Sequence, residues 1–301
     1  MPHKLTWALI LTLVLAASQA FSQSVKISGK IVDATTQSPI PYASIGVLGK
    51  SIGTVANSSG EFVLPVKQDQ LTANDKLAFS CVGYESAELQ IGDVKKGNLL
   101  IKLKPQVVEI EEVKVLANKL KKKVLGKNDR EYFTHYNFYS MQDTAAHDRL
   151  GREVGNIIKL NHTCFLNDFN VYMGWSDFTS VKFRVNVYEV VNGLPGKSLL
   201  QENIIFEVKG KNPGWVKVDL KEYNIRLEGH DKVAVTVQWL ESVKQKESNR
   251  FLSVPIAVSP VHAYVTRDKS TGEWKRGLGY LSMYLNADCF KPESNASVKA
   301  Q

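Results

Sequence analysis

Apolar and polar residues alternate along most of this chain, and the period is that of strands. Between residues 24 and 104 the runs SVKISGKIVDA, SPIPYASIGVLG, SIGTVA, EFVLPV, DKLAFSCVGYESAELQI and NLLIKLKP are cut by Gly, Pro and Asn-Ser turn chemistry. Turn signals every ~8–12 residues, with no long 3.6-period segment between them, predict a small seven-stranded β-sandwich. From Arg152 the runs lengthen into NIIKL, DFNVYM, SVKFRVNVYEV, NIIFEV, WVKVDL and KVAVTVQWLE, closed by FLSVPIAV and GYLSMYLNA. Val181, Phe183, Val185 and Val187 share one face of a strand, and Lys182, Arg184, Asn186 and Tyr188 share the other. Val233, Val235, Val237 and Trp239 repeat the pattern, the mark of half-buried antiparallel strands. About eight or nine such strands predict a second, jelly-roll-like sandwich. The expected fold class is therefore all-β: two β-sandwich domains joined by a basic linker.

The ends modify this picture. MPHKLTWALILTLVLAASQAFSQ places one lysine before a short apolar run and small residues after it, the pattern of a secretory signal peptide cleaved after Ala20 or Ser22. No cysteine follows either site, and no other segment has the ~18 apolar residues of a spanning helix, so no transmembrane segment is expected. The expected division is a signal peptide (1–22), a first sandwich (23–117), a linker (118–150), a second sandwich (151–290) and a disordered tail (291–301). The linker holds Asp143-Thr144-Ala145, a short pattern of the type that carries O-glycans in secreted proteins, so Thr144 is a candidate acceptor. Cleavage at residue 22 leaves 37 basic against 30 acidic side chains, and five of the lysines cluster in KLKKKVLGK at 119–127. An exported protein meets little nucleic acid, so this cluster reads as a solvated linker and not as a nucleic-acid site.

Two motifs overlap in VLGKSIGTVANSSGEF. Gly49-Lys50-Ser51 is the tail of a phosphate loop, and Gly49-Lys50-Ser51-Ile52-Gly53 satisfies G-x-S-x-G. Both need a helix to follow, and β-branched alternation follows instead. Ser51 is a turn residue, and Gly49 and Gly53 supply hairpin geometry.

The same stretch belongs to a longer pattern. G-K-I-V-D, P-x-P-Y-A-S-I, S-I-G-T, S-x-G-E-F and V-G-Y-E fall in order over about 95 residues, followed by LKPQVVEIEEVKV. Residues 23–117 thereby resemble the carboxypeptidase-regulatory-like domain, transthyretin-like in architecture, and in particular the copy heading TonB-dependent outer-membrane receptors of the Bacteroidetes phylum. The resemblance implies a Greek-key sandwich, an exported protein and no catalysis within the module. Asn57 stands where an acidic residue is usual, and Cys81 where an aromatic or aliphatic one is. The C-terminal region resembles that of small secreted proteins carrying the same first domain and, less specifically, galactose-binding-like modules.

Candidate chemistry is sparse. None of the six histidines has Glu three residues later, so the zinc-carboxypeptidase ligand spacing is absent. No metal site, cofactor or catalytic residue is expected; Asp177, Asp219 and Glu241 stand at strand ends or loops with no flagged partner. Flat rings stack on sugars, and Trp175 and Trp274 sit beside loops as candidate ligand-binding residues, while Trp215 and Trp239 continue apolar faces and read as core. Cys81 alternates with Leu77 and Phe79 and is expected as a buried free thiol. Cys164 and Cys289 lie near the first and last strands of the second sandwich; two buried reduced thiols are the default, and a bridge is the alternative if those strands are neighbours. These features lead to an exported, non-enzymatic binding or scaffold protein of the cell envelope, its partner an envelope protein or a glycan. A glycan-binding module is the alternative reading, and an uncatalogued hydrolase the second alternative.

Overall fold

The structure, a computed structural model, describes residues 24–94, 98–106, 120–129, 134–139, 149–210, 212–244, 246 and 251–290. The expected signal peptide, the IEEVKVLA run, Thr144 and the tail at 291–301 lie outside the described residues.

The first sandwich is built from β1 (Ser24–Asp33), β2 (Ser44–Val47), β3 (Gly53–Val55), β4 (Glu61–Lys67), β5 (Lys76–Ser80), β6 (Ala87–Gln90) and β7 (Asn98–Leu103). One sheet runs β4-β1-β7, with β1 antiparallel to β4 and parallel to β7; the other runs β3-β2-β5-β6. Period-two alternation does the work: along β4 Phe62, Leu64 and Val66 are buried and Glu61, Val63 and Lys67 are exposed. Ile27, Ile31, Ile45, Leu77 and Phe79 complete the core. Cys81 joins it as a buried free thiol. The GKSIG stretch is a hairpin turn: Lys50 N–H donates to Val47 O, Val47 N–H to Ile52 O, and Gly49 takes φ 71°.

The second sandwich follows with β8 (Lys121–Lys127), β9 (Thr134–Asn137), β10 (Glu153–Lys159), β11 (Thr163–Met173), β12 (Phe178–Val191), β13 (Leu194–Ser198), β14 (Ile204–Lys209) and β15 (Gly214–Asp219). It ends with β16 (Arg226–Leu227), β17 (Lys232–Lys244), β18 (Ser253–Ala257), β19 (Ala263–Arg267), β20 (Lys275–Leu278), β21 (Tyr280–Leu281) and β22 (Met283–Phe290). A large sheet runs β13-β12-β17-β10-β19-β20 with β14 on β12, and it faces a sheet running β15-β11-β22-β8 with β16 on β11. A small sheet, β21-β18-β9, feeds Val254 and Leu281 into the same core. At the centre Trp239 meets Phe138, Phe178 and Phe183, with ring centroids 5.2–5.5 Å apart.

The linker expected over 118–150 is corrected here. β8 pairs with β22 from Met283↔Lys127 to Cys289↔Lys121, and β9 pairs with β18. Four of the clustered lysines therefore belong to an edge strand of the second sandwich. Lysines on an edge strand obstruct pairing with another chain, so the run suits a sheet margin as well as a solvated loop.

Cys164 and Cys289 are direct partners in the β11–β22 ladder and are joined by a disulfide, with Cα atoms 4.1 Å apart. The default expectation of two reduced thiols gives way because the first long strand and the last strand of the sandwich are neighbours. Among the described residues no helix is long and apolar enough to cross a membrane.

Candidate functional site

The outer face of the large sheet is where the two sandwiches meet. Strand alternation that points Phe183, Val185 and Val187 into the core points Arg184, Asn186 and Tyr188 the other way. Thr236 and Gln238 on β17, Glu153 on β10 and Arg267 on β19 share that face. Sequence alternation alone assigns such a face to water. Here Arg184, Asn186, Thr236, Gln238 and Glu153 are all buried, because the first sandwich lies over part of the sheet.

The contact has apolar and polar parts. Tyr42 and Val55 of the first sandwich pack with Leu240 of β17. The Tyr42 hydroxyl donates to Glu241 (2.8 Å) and accepts from Lys182 (3.0 Å), while its carbonyl accepts from Arg184 Nη2 (2.5 Å). Tyr42 takes φ 56°, left-handed and strained for a tyrosine, and these bonds at both ends hold it there. Donating to the Tyr42 hydroxyl and to the Glu241 carboxylate pushes the Lys182 pKa up to about 12. Thr271 Oγ1 donates to Val47 O, and Asn203 Nδ2 lies 3.0 Å from Cys81 Sγ.

Two glycines allow this approach. A Cβ on Gly46 would meet Thr271 Oγ1 at 2.0 Å, and one on Gly83 would meet Gln201 O at 2.6 Å. Gly83 also takes φ 82°. Gly83→Ala is therefore expected to lower stability by at least about 1 kcal/mol, visible as an earlier thermal midpoint of the whole protein. An unchanged midpoint would show that the two sandwiches do not meet at that loop.

Within the interface Glu153 is 0% exposed and its carboxylate is saturated with donors. Arg267 gives Nε at 2.8 Å and Nη2 at 2.5 Å, Asn186 gives Nδ2 at 2.8 Å, Tyr188 its hydroxyl at 3.1 Å, and the Thr236 hydroxyl a short bond. The register explains the ion pair, since Glu153 stands directly across from Arg267 in the β10–β19 ladder. Burial works against the Arg267 charge, and the Glu153 carboxylate outweighs it, raising the guanidinium pKa. Burial, then the Glu153 charge, pushes the Tyr188 phenol far above its usual range, so it remains a donor.

Beside this network a cleft of about 570 Å³ opens between the sandwiches. Arg184, Tyr188, Lys197 and Arg267 line one wall, and the Cys81–Ser86 loop after β5 lines the other. A second interdomain cavity, about 580 Å³, is lined by Tyr42, Val55, Phe62, Val63 and Leu240.

The expected ligand residues fall elsewhere. Trp274 is half-buried, with the Arg267 guanidinium 4.3 Å above its ring and Tyr188 at its edge, so it braces the wall of the polar cleft. Trp175 is 67% exposed and lines neither interdomain cavity. Trp175→Ala is expected to change stability by less than about 0.5 kcal/mol in a urea titration. Trp239 is core as expected, whereas Trp215 is half-buried on the outer face of the β15-β11-β22-β8 sheet. Its ring contacts Tyr172 (5.4 Å) and Tyr284 (5.1 Å), above a network in which Asn170, Asn286 and Lys217 all hold Asp168. Asp177, Asp219 and Glu241 serve separate partners: Phe251 N–H, Lys221 N–H and Lys182. No group of three or more His, Cys, Asp or Glu able to hold a metal occurs among the described residues.

Residues 27–115 match the family model of the CarboxypepD_reg-like domain, so the first sandwich is a module of that class. No curated protein matches the chain. The chain is similar to the solved structure of infectious bursal disease virus Gt strain at 8% identity, over 90% of this chain and 65% of that one, with a TM-score of 0.26. It is also similar to a protein from Bacteroides fragilis NCTC 9343, described as membrane-associated and of unknown function, at 11% identity over 89% of this chain and 99% of that one, with a TM-score of 0.20. The chain thus spans 65% of the length of the viral protein, and TM-scores this low lend nothing to the functional reading.

Proposed function

We propose that this is a non-catalytic binding protein exported to the cell envelope, which takes its ligand in the polar cleft between its two sandwiches. The observation that supports this most is the cleft itself. Ligand sites favour domain interfaces and combine a concave surface with a few convergent polar groups. Here two guanidinium groups, a phenol and a lysine converge on a wall held by a saturated buried network. A CarboxypepD_reg-like first domain and the apolar N-terminal run are in keeping with an exported, non-enzymatic role. Glycan binding is a second reading, favoured by the Trp215–Tyr172–Tyr284 cluster and the amides beside it.

The test exposes the mature protein to a glycan array and a solubilised envelope extract, beside a panel of chromogenic ester and glycoside substrates. Saturable binding without turnover is the expected result. Turnover of any substrate above a heat-denatured control overturns it in favour of a hydrolase.

A further inference from the structure

Arg184 is 3% exposed, yet no carboxylate among the described residues pairs with it. Nη1 donates to Gln238 Oε1 at 2.8 Å and Nη2 to Tyr42 O at 2.5 Å, both uncharged acceptors, and Nε has no partner. The two acidic side chains of the interface network are already occupied, Glu153 by Arg267, Asn186, Tyr188 and Thr236, and Glu241 by Tyr42 and Lys182. A buried cation without a counter-charge is costly, and folded chains almost always supply one. In this protein the Arg184 side chain instead borders the polar cleft, with Arg267 and Lys197 on the same lining. Arg184, Arg267 and Lys197 on the lining are positive; Glu153 offsets the charge of Arg267 and Glu85 offsets one more, which leaves one positive charge over.

We propose that the cleft binds an oxyanion, a carboxylate or phosphate borne on a small polar molecule, whose charge neutralises Arg184. The proposal rests on the cleft being the ligand site and adds the chemistry of what enters it. A guanidinium fork matches the paired oxygens of both groups, and burial makes each charge-assisted bond stronger than in water. Arg184 and Arg267 hold the anion from below, with Arg267 fixed in place by Glu153 and by Trp274 over its face. Lys197, exposed on β13, draws the anion in from the mouth. Tyr188, its proton given to Glu153, accepts from Arg267 Nη2 at 3.1 Å and so steadies that guanidinium. The Cys81–Ser86 loop of the first sandwich forms the facing wall, so neither sandwich alone makes the site.

The whole mature protein is titrated by calorimetry with D-glucuronate, with inorganic phosphate and with uncharged D-glucose, each up to about 10 mM, a range that covers millimolar dissociation constants. Saturable binding of one or both anions, none of glucose, and weakening as sodium chloride rises are the expected results. Which anion binds tells a sugar acid from a phosphate. Arg184→Gln should weaken binding by about 10- to 100-fold, and Lys197→Gln, at an exposed position, by a few-fold with its fold intact. If Arg184→Gln does not fold, the wild-type titration and Lys197→Gln still decide. No binding of either anion by the wild-type protein overturns the proposal, as does anion binding that both variants leave unchanged. A protein that fails with both anions but binds a neutral glycan on the array keeps the binding reading and loses only the oxyanion. Substrate turnover removes the binding reading itself.

Discussion

Glu153→Ala is expected to cost about 3–5 kcal/mol of stability, a very large effect for a residue outside the apolar core. The reason is what it leaves behind. Arg267 is only 13% exposed at its side chain and would keep a charge with no carboxylate to meet it. Asn186, Tyr188 and Thr236 would lose a shared acceptor at the same time. The pair itself contributes much less than the cost of breaking it, because desolvating both ions offsets most of their attraction. Glu153→Met combined with Arg267→Met should therefore regain the part of the loss due to the stranded guanidinium, while the part due to Asn186, Tyr188 and Thr236 stays. Urea unfolding of the wild type, the alanine variant and the double variant measures this. A loss below about 1 kcal/mol for Glu153→Ala would mean that water reaches the pair.

Reduction of the Cys164–Cys289 bridge is the second large expected effect. The two cysteines close a loop with a sequence separation of 125, and in the chain-entropy model such a crosslink stabilises by about 4–5 kcal/mol. The bridge fastens β11 to β22, and β22 carries the lysine-rich edge strand β8, so its loss weakens the register of that whole sheet. Denatured, unreduced protein should show one free thiol by mass spectrometry, mapped to Cys81, and a reducing agent should lower the urea midpoint. Three free thiols would contradict the bridge.

Much of the architecture was legible from alternation alone. The inward sets Phe62, Leu64, Val66 and Phe183, Val185, Val187 follow from period two, and the turn at Gly49 follows from the β-branched residues after it. The site was not legible, for a physical reason: its members come together through contacts between residues far apart in the chain. Glu153 and Arg267 are 114 residues apart, and only the pairing of β10 with β19 brings them together. Nor does periodicity reveal that a polar face will be covered. A faint signal was present in the uncharged polar residues Asn186, Thr236 and Gln238, although Lys182 and Glu153 share the same face. Gly46 and Gly83 read as turn or strand glycines until the second sandwich is seen pressing on them. Trp215 misled in the opposite direction, because a tryptophan continuing an apolar run can lie on the outer face when neighbouring tyrosines shelter it.

The central claim is that ligand enters the cleft between the sandwiches and leaves chemically unchanged. Hydrogen exchange of the intact mature protein, with and without the envelope component it binds, tests this directly. Slowed exchange in the Cys81–Ser86 loop and across Gly196–Leu200, with the ligand recovered intact, is the predicted result. Protection confined to the Tyr172–Trp215 face, or recovery of a cleaved ligand, would contradict it.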